Sequence, residues 1–397
     1  MTAPRVPAKK AHATTVSTKL SPVIELFSQF ISITIIVLEK QRTAAGNFHT
    51  SKSDKSGLVE HQEEMKKFIS FLVILFSNAG WANLQTGPDK TVQNFVFFGR
   101  DRERITESSF LTTEKFVGAQ LMYAWKELER GEDEYDFSEI QKDLDFLKSK
   151  GKKLFIQLQD TTFNPKLNAV PKYLTTEAKY HGGVIHQKNE HGKQEGWVLM
   201  RWDPAVADRL HKLLLALGKA FDGKIEGLTL QETAVGVYEN AETAKSGFTY
   251  PKYRDAILEN MKALKKAFSV SVKMQYVNFM PGEWLPDEDM GYMDSAYKLG
   301  KEIGVAIGVP DLLPKKKSQQ NHSYKFMNAM GEEMILGVAV QDGNYSGTTN
   351  EIITPTEPWP NIVPELDTYA RTFLKVNYIF WGAEEPYFSH DVVPYFK

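Results

Sequence analysis

The chain has 397 residues, 42% of which are hydrophobic, and a formal net charge of −2. This length allows a large core, and a single α/β barrel commonly takes about 250 residues. The near-neutral charge argues against binding to nucleic acid or to a membrane surface. The sequence contains no Cys, which excludes disulfides, thiolate metal sites and a cysteine nucleophile.

The N-terminal part of the sequence differs from the rest. Residues 65–82 combine two lysines, the apolar run Phe68–Phe76 and small residues at the positions one and three before Asn83. This is the pattern of a secretory signal peptide, which normally begins at the initiator methionine. We therefore predict that Met65 is the true start, that residues 1–64 are an upstream extension, and that the protein is exported to the periplasm or the extracellular space without stable membrane insertion. The alternative is a genuine N-terminal domain in which the apolar run is a buried helix.

Beyond this point, short apolar runs alternate with helical periods, a pattern typical of parallel α/β architecture. Several runs are almost continuously apolar, as expected of strands that are buried on both faces. Eight alternations fit a (β/α)8 TIM barrel over residues 83–397 better than an open sheet, and no G-x-G-x-x-G or G-x-x-x-x-G-K-[ST] motif favours a nucleotide-binding sheet. The predicted strands are Phe116–Tyr123, Leu154–Leu158, Trp197–Arg201, Ile225–Gln231, Val272–Val277, Val305–Gly308, Ile335–Val340 and Val376–Phe380.

The segments between these runs have amphipathic periods. Asp203 and Pro204 read as an N-cap and a first-turn proline, and an apolar stripe follows as far as Phe221. Within 164–196 only a short helix near 175–181 is expected, and long loops after barrel strands are common where a substrate site is built. The other predicted helices cover 139–149, 252–268, 289–303, 322–332 and 362–374.

One stretch carries a family resemblance. The segment Gly118–Glu129 contains W-K-E-L-E, and it is followed by Gly131 and by the Tyr-Asp-Phe of residues 135–137 before a helix and a further strand. This resembles the first β-α-β unit of clan A glycoside hydrolases, in particular the β-galactosidase-like and cellulase-like barrels. Arg130 stands where their pattern often has Pro. The resemblance implies a barrel that hydrolyses glycosidic bonds in an oligo- or polysaccharide, with no organic cofactor.

A second stretch agrees with this resemblance. In clan A barrels the fourth strand ends in a Glu, usually after Asn, that acts as the general acid/base, and Glu232 ends the fourth predicted strand here. Gln231 replaces the Asn, and we expect its amide to bond a sugar hydroxyl. The alternative for Glu232 is an ion-paired or helix-capping Glu at the end of a strand.

The second catalytic carboxylate departs from the family pattern. Clan A barrels place a nucleophilic Glu at the end of the seventh strand, whereas this chain has only Asp342 there, before Gly343. Asp342 is predicted as nucleophile or as a base on water, and a turn Asp before Gly is the alternative. The missing Glu also supports a different hypothesis, a carbohydrate-binding barrel without catalysis.

Further cleft residues are predicted from their positions after strands. Trp381 is expected to floor the reactive-sugar subsite, as an aromatic after strand eight commonly does in clan A. A metal site is not expected, because the five-residue spacing of His181, His186 and His191 matches no common ligand spacing. A barrel enzyme of another kind, such as a polysaccharide lyase or a metal-dependent hydrolase, remains a third hypothesis. The other predicted substrate-binding residues are Tyr123, Trp125, Trp202, Asp311 and Tyr345.

Overall fold

The computed structural model describes residues 91–189, 191–341, 343–348 and 358–397. All of them belong to one compact unit, Gln85–Lys397. The predicted extension, the predicted signal peptide and Asp342 lie outside the described residues.

Eight parallel strands close into a barrel, which confirms the predicted (β/α)8 fold. The strand order around the barrel is β1-β2-β3-β6-β7-β8-β9-β10, and β10 pairs with β1 to close it. The two remaining strands, β4 and β5, form a separate antiparallel hairpin. The bounds are β1 Gln93–Gly99, β2 Phe116–Ala124, β3 Lys153–Gln159, β4 Val184–Lys188, β5 Gln194–Leu199, β6 Gly227–Leu230, β7 Val272–Tyr276, β8 Ala306–Val309, β9 Leu336–Val340 and β10 Tyr378–Gly382.

The predicted set of barrel strands contains two errors, one strand missed and one wrongly included, and these errors compensate. The barrel begins at Gln93, one strand before the predicted first strand. The predicted third strand, Trp197–Arg201, overlaps β5 and therefore belongs to the hairpin rather than to the barrel. A short apolar run has the same appearance in a hairpin and in a barrel strand, so periodicity could not separate them. Because one strand was missed and one was added, Glu232 still follows the fourth barrel strand.

Helices separate the barrel strands and pack on their outer faces. Asp203 caps the helix Pro204–Phe221 by accepting hydrogen bonds from the N–H groups of Ala205 and Val206, as its sequence predicts. No helix in the described part of the chain is long and apolar enough to cross a membrane. The longer helices are Ser138–Ser149, Pro204–Phe221, Tyr250–Ala267, Tyr292–Ile303, Lys325–Met330 and Val363–Thr372. The short ones are Arg102–Thr106, Ser108–Thr112, Trp125–Leu128, Lys172–Thr176, Ala178–Tyr180, Thr243–Ser246, Lys317–Gln319, Gln320–Tyr324, Asn344–Ser346, Phe388–Val392 and Val393–Phe396.

The core has two parts. The larger one lies between the strands and the surrounding helices, and the smaller one fills the barrel. Inside the barrel, Phe155 packs edge-on against Phe95 and Phe380, with ring centroids 5.8 and 5.0 Å apart. Gly227 makes room for this packing, since a Cβ there would lie 2.5 Å from the Phe155 ring. The barrel is therefore a packed core and not a pore.

Candidate active site

A cleft of about 780 Å³ opens at the carboxyl end of the barrel. Every barrel strand contributes to its lining, either from its last residues or from the residues just after it. This is the end of a TIM barrel at which catalytic residues are found. One lining residue from each strand in barrel order is Phe97, Met122, Gln159, Gln231, Tyr276, Asp311, Gln341 and Gly382.

The floor of the cleft is rich in amides. Gln157 and Gln159 occupy alternate positions of β3, beyond Phe155 on the inward face, and both line the cleft. Gln157 is 5% exposed, and its Oε1 has no hydrogen-bond partner. An unsatisfied buried polar atom costs about 1–3 kcal/mol, and at the floor of a cleft this oxygen can accept a hydrogen bond from water or from a ligand.

Glu232 lies half-buried in this cleft, two residues after β6. Its Oε2 accepts a hydrogen bond of 2.6 Å from Nδ2 of Asn278, a residue that follows β7. Burial, together with the negative charge of Asp311, raises the pKa of Glu232 to about 8, although the Asn278 hydrogen bond and the charge of Arg201 oppose the shift. A carboxylic acid with this pKa keeps its proton near neutral pH and can donate it.

A buried ion pair supports the Glu232 loop from below. Arg201 donates from Nε and Nη2 to the two carboxylate oxygens of Asp160, both at 2.7 Å. Its Nη1 also donates to the backbone carbonyl of Glu232 at 3.2 Å. The hydroxyl of Tyr253 donates to the carbonyl of Thr233. The backbone carbonyls of Glu232 and of the next residue, Thr233, are therefore both held by buried side chains.

A second acid, Asp311, is held firmly beside this site. Its Oδ1 accepts a 3.0 Å hydrogen bond from Nδ2 of Asn344, and its carbonyl accepts one from the hydroxyl of Tyr324. Asp311 is 8% exposed and lines the cleft. The cleft thus contains two carboxyl groups, and the charge of one acts on the other.

The loops on both sides of the Glu232 loop carry aromatic side chains. Phe163, after β3, is 47% exposed, and Phe279, after β7, lines the same cleft. Trp284 is 53% exposed and stacks on Phe279. Because β3, β6 and β7 are neighbours in the barrel, the loop that carries Glu232 lies between the two aromatic loops.

The β4–β5 hairpin braces two of these loops. Thr162 exchanges backbone hydrogen bonds of 2.8 and 3.0 Å with Trp197 of β5. The buried side chain of Gln187, in β4, donates to the carbonyl of Thr162 and accepts from the backbone N–H of Gly236. The Phe163 loop and the loop after Glu232 are therefore tied to the same strand pair. Within 164–196 the sequence predicted a long loop with one short helix and no strand.

The structure brings three of the sequence-predicted residues together. Glu232, Gln231 and Asp311 line one cleft, and the side chain of Gln275 donates to the carbonyl of Gln231 at 2.6 Å. Asp342 remains a prediction, because it lies outside the described residues. Its neighbour Gln341 lines the cleft.

The predicted aromatics lie elsewhere. Tyr123 and Trp125 are fully buried outside the cleft, where Tyr123 donates to Asp143 at 2.7 Å and Trp125 donates to Glu129 at 2.6 Å. Side chains alternate along a strand, so with Met122 facing the cleft its neighbour Tyr123 faces the helices.

The same alternation explains the position of Trp381. Phe380 points into the barrel core, and Trp381 points outward, donates to Asn94 at 3.1 Å and packs on Phe396. It does not floor the cleft. Two further predicted residues are also used in packing, with Trp202 donating to the Ser246 carbonyl and Tyr345 donating to the Gly382 carbonyl beside a separate cavity of about 890 Å³.

Sequence reasoning missed Gln157, Arg201, Phe163, Asn278 and Phe279. Gln157 and Gln159 carried a signal, since two amides at alternate positions of a buried strand mark a polar inward face. Asn278 carried a positional signal, because it lies just after the fifth barrel strand. Among the described residues, no three His, Asp or Glu side chains form a group that could hold a metal.

No model of a known protein family matches the sequence, and no curated protein matches it. Among solved structures, the chain is similar to an alanine variant of GH5_18 from Streptomyces cattleya in complex with Manb1-4GlcNAc, with a TM-score of 0.47 and 11% identity over 73% of this chain and 70% of that one. It is similar to xylanase XynB from Paenibacillus barcinonensis, with a TM-score of 0.42 and 13% identity over 72% of this chain and 84% of that one. It is also similar to GH5_18 from Streptomyces cattleya in complex with GlcNAc, with a TM-score of 0.37 and 8% identity over 62% of this chain and 70% of that one. We infer the activity from the side chains of the cleft.

Proposed function

We propose that this protein hydrolyses glycosidic bonds in an oligo- or polysaccharide, with Glu232 as the proton donor. The observation that carries the proposal is the environment of Glu232. Its pKa is raised to about 8 at the functional end of a barrel, beside a second carboxyl group and between exposed aromatic rings. Aromatic faces suit the apolar faces of sugar rings, and a carboxylic acid suits the leaving oxygen.

The reaction needs two carboxyl groups in different states. Glu232, protonated near neutral pH, would give its proton to the glycosidic oxygen as the bond to the anomeric carbon breaks. A second, ionised carboxylate would attack that carbon or remove a proton from the attacking water. Asp311 is the described acid whose charge acts on Glu232, and Asp342 remains the sequence-based candidate for the same role.

The test compares the two ends of one strand. Glu226 precedes β6 and pairs with Lys153 at 2.9 Å, at the opposite end of the barrel from Glu232. We expect Glu232→Gln to reduce sugar release from the substrate by about 100-fold or more, the scale of losing a general acid. Glu226→Gln is the matched control, and we expect it to retain activity. Equal activity in the two variants would contradict the proposed role of Glu232.

A carbohydrate-binding barrel without catalysis is the second candidate, and the Asp in place of Glu after the seventh barrel strand favours it. Reducing-end release from a panel of bacterial, plant and algal polysaccharides separates the two. Release identifies an enzyme, whereas retention of a polysaccharide without any release identifies a binding protein.

We also propose that the protein acts outside the cytoplasm, because residues 65–82 have the sequence pattern of a signal peptide. N-terminal sequencing of protein recovered from the periplasm or the medium tests this. A chain that begins near Asn83 is expected, and a protein that stays in the cytoplasm would contradict it.

A further inference from the structure

The loop after β7 presents a large aromatic surface to solvent. Trp284 is 53% exposed, which is unusual for the largest apolar side chain. Its ring lies nearly parallel to that of Phe279, with centroids 5.8 Å apart and an angle of 12° between the planes. Phe279 lines the cleft, and Trp284 does not line it but stacks on the Phe279 ring, so the exposed tryptophan lies next to the cleft wall.

This surface is held in place by the structure around it. His322 is fully buried and packs against both rings, with centroids 4.7 Å from Phe279 and 4.8 Å from Trp284. Trp284 also exchanges two backbone hydrogen bonds with Glu288, at 2.8 and 3.0 Å. The next residue, Leu285, donates its N–H to Nε2 of His322 at 3.0 Å. A rigid aromatic face loses little conformational freedom when it binds a ligand.

The barrel order relates this surface to the proposed chemistry. The Glu232 loop lies between the loop that carries Phe163 and the loop that carries Phe279 and Trp284. A glycan chain bound with one of its bonds at Glu232 would therefore have aromatic surface available on each side of that bond.

We propose that the exposed ring of Trp284, supported by Phe279 and His322, is a sugar-binding platform that takes a pyranose ring of a glycan chain, one or more units away from the bond at Glu232. The proposal rests on the proposed function for its substrate class. It adds that the substrate is a chain of several sugar units, because a platform beside the cleft adds nothing to the binding of a substrate that is too short to reach it.

The test measures dependence on chain length. Trp284→Ala, Trp284→Phe and unmodified protein are compared on β-1,4-linked gluco-, manno- and xylo-oligosaccharides from disaccharide to hexasaccharide. We expect Trp284→Ala to lower kcat/KM for the longest hydrolysed oligosaccharides by about 5- to 20-fold, the scale of losing one aromatic contact, and to leave the shortest hydrolysed one unchanged. Trp284→Phe is expected to restore most of the loss.

Phe373 supplies a matched control. It is 39% exposed and stacks on Tyr369 at 4.8 Å, but Tyr369, unlike Phe279, does not line the cleft. Phe373→Ala is expected to leave activity at every chain length unchanged. If Trp284→Ala behaves like Phe373→Ala at all lengths while hydrolysis persists, the platform is overturned and the proposed function stands.

Binding measured without catalysis separates the remaining outcomes. Calorimetric titration of the same oligosaccharides into Glu232→Gln protein, with and without Trp284→Ala, reports the platform directly. Tighter binding of longer chains that depends on Trp284 supports the platform even if unmodified protein hydrolyses nothing. Absence of binding by every oligosaccharide would overturn the platform, whereas the proposed function is decided by release from the polysaccharide panel.

Discussion

The lower and upper halves of the barrel interior are built from the same strands but from different chemistry. In the lower half, inward positions carry Phe95, Phe155 and Phe380, which pack together. One or two inward positions further along, Gln157, Gln159 and other polar groups line the cleft. Tyr276 belongs to both, since it packs with the inner core and lines the cleft.

The difference separates stability from function along each strand. Apolar packing at the amino end can be optimised for density. Polar groups at the carboxyl end incur desolvation costs, as the unpaired oxygen of Gln157 and the raised pKa of Glu232 both indicate. Substitutions in the lower half should therefore change stability, and those in the upper half should change ligand binding and pH dependence.

The largest expected effect is in the lower half. Phe155→Ala removes a ring that contacts Phe95, Tyr378 and Phe380, and it should lower the free energy of unfolding by about 3–5 kcal/mol. Denaturant unfolding measures the loss, and the pH dependence of the folded variant should match that of the parent. A loss below about 1 kcal/mol would show that the inner ring cluster is not a tightly packed core.

Asp160→Asn acts between the two halves. It leaves the buried Arg201 charge without its bidentate partner, which should cost about 2–4 kcal/mol of unfolding free energy. An uncompensated Arg201 should also favour ionised Glu232 and lower its pKa. The alkaline limit of activity should therefore move to lower pH. An unchanged limit in a folded variant would mean that Arg201 does not act on Glu232.

Glu232→Gln should change the pH dependence of stability. Glu232 has an ordinary pKa of 4.5 and a folded value of about 8, so its contribution is complete below pH 4.5 and is lost as pH rises through about 8. The variant cannot ionise, so it should be more stable than the parent above pH 8 but not below 4.5. Thermal unfolding at the two extremes measures this, and an equal difference at both would contradict it.

The smallest effect is expected at Gln157. Replacing it with Met removes the unpaired oxygen at similar length, so stability should stay the same or rise by up to about 1 kcal/mol. Sugar binding should weaken by about 3- to 10-fold, the scale of one hydrogen bond. Paired measurements of unfolding and calorimetric binding test both signs, and a stability loss with unchanged binding would place Gln157 in the lower, structural half.

The sequence alone predicted the fold more fully than the site. Alternating runs and the Asp203 cap identified a barrel, and Glu232, Gln231 and Asp311 do line its cleft. The predictions for the aromatic residues on the strands were wrong about the direction in which each side chain points. Tyr123 and Trp381 lie beside the inward-facing residues Met122 and Phe380, and a one-residue offset in a strand reverses the direction of the side chain. Hydrophobic periodicity could not predict which residues of a strand point into the barrel, because both faces of a barrel strand are apolar.

The contacts of the loop residues could not be predicted from the sequence for another reason. Asn278 contacts Glu232, and Phe279 and Trp284 contact His322, because the spatial order of the barrel brings together elements that are far apart in the chain. The β4–β5 hairpin likewise pairs with a residue distant in the chain, through the two backbone hydrogen bonds between Thr162 and Trp197.

The central claim is that Glu232 keeps its proton near neutral pH because it is buried beside Asp311. The direct test is a carbon NMR titration of protein labelled at the glutamate carboxyls, with the Glu232 signal assigned by its loss in Glu232→Gln. We expect a pKa of about 8 that falls when Asp311 is replaced by Asn, since the neighbouring charge contributes to the shift. A Glu232 signal that titrates near 4.5, with or without Asp311, would contradict the account.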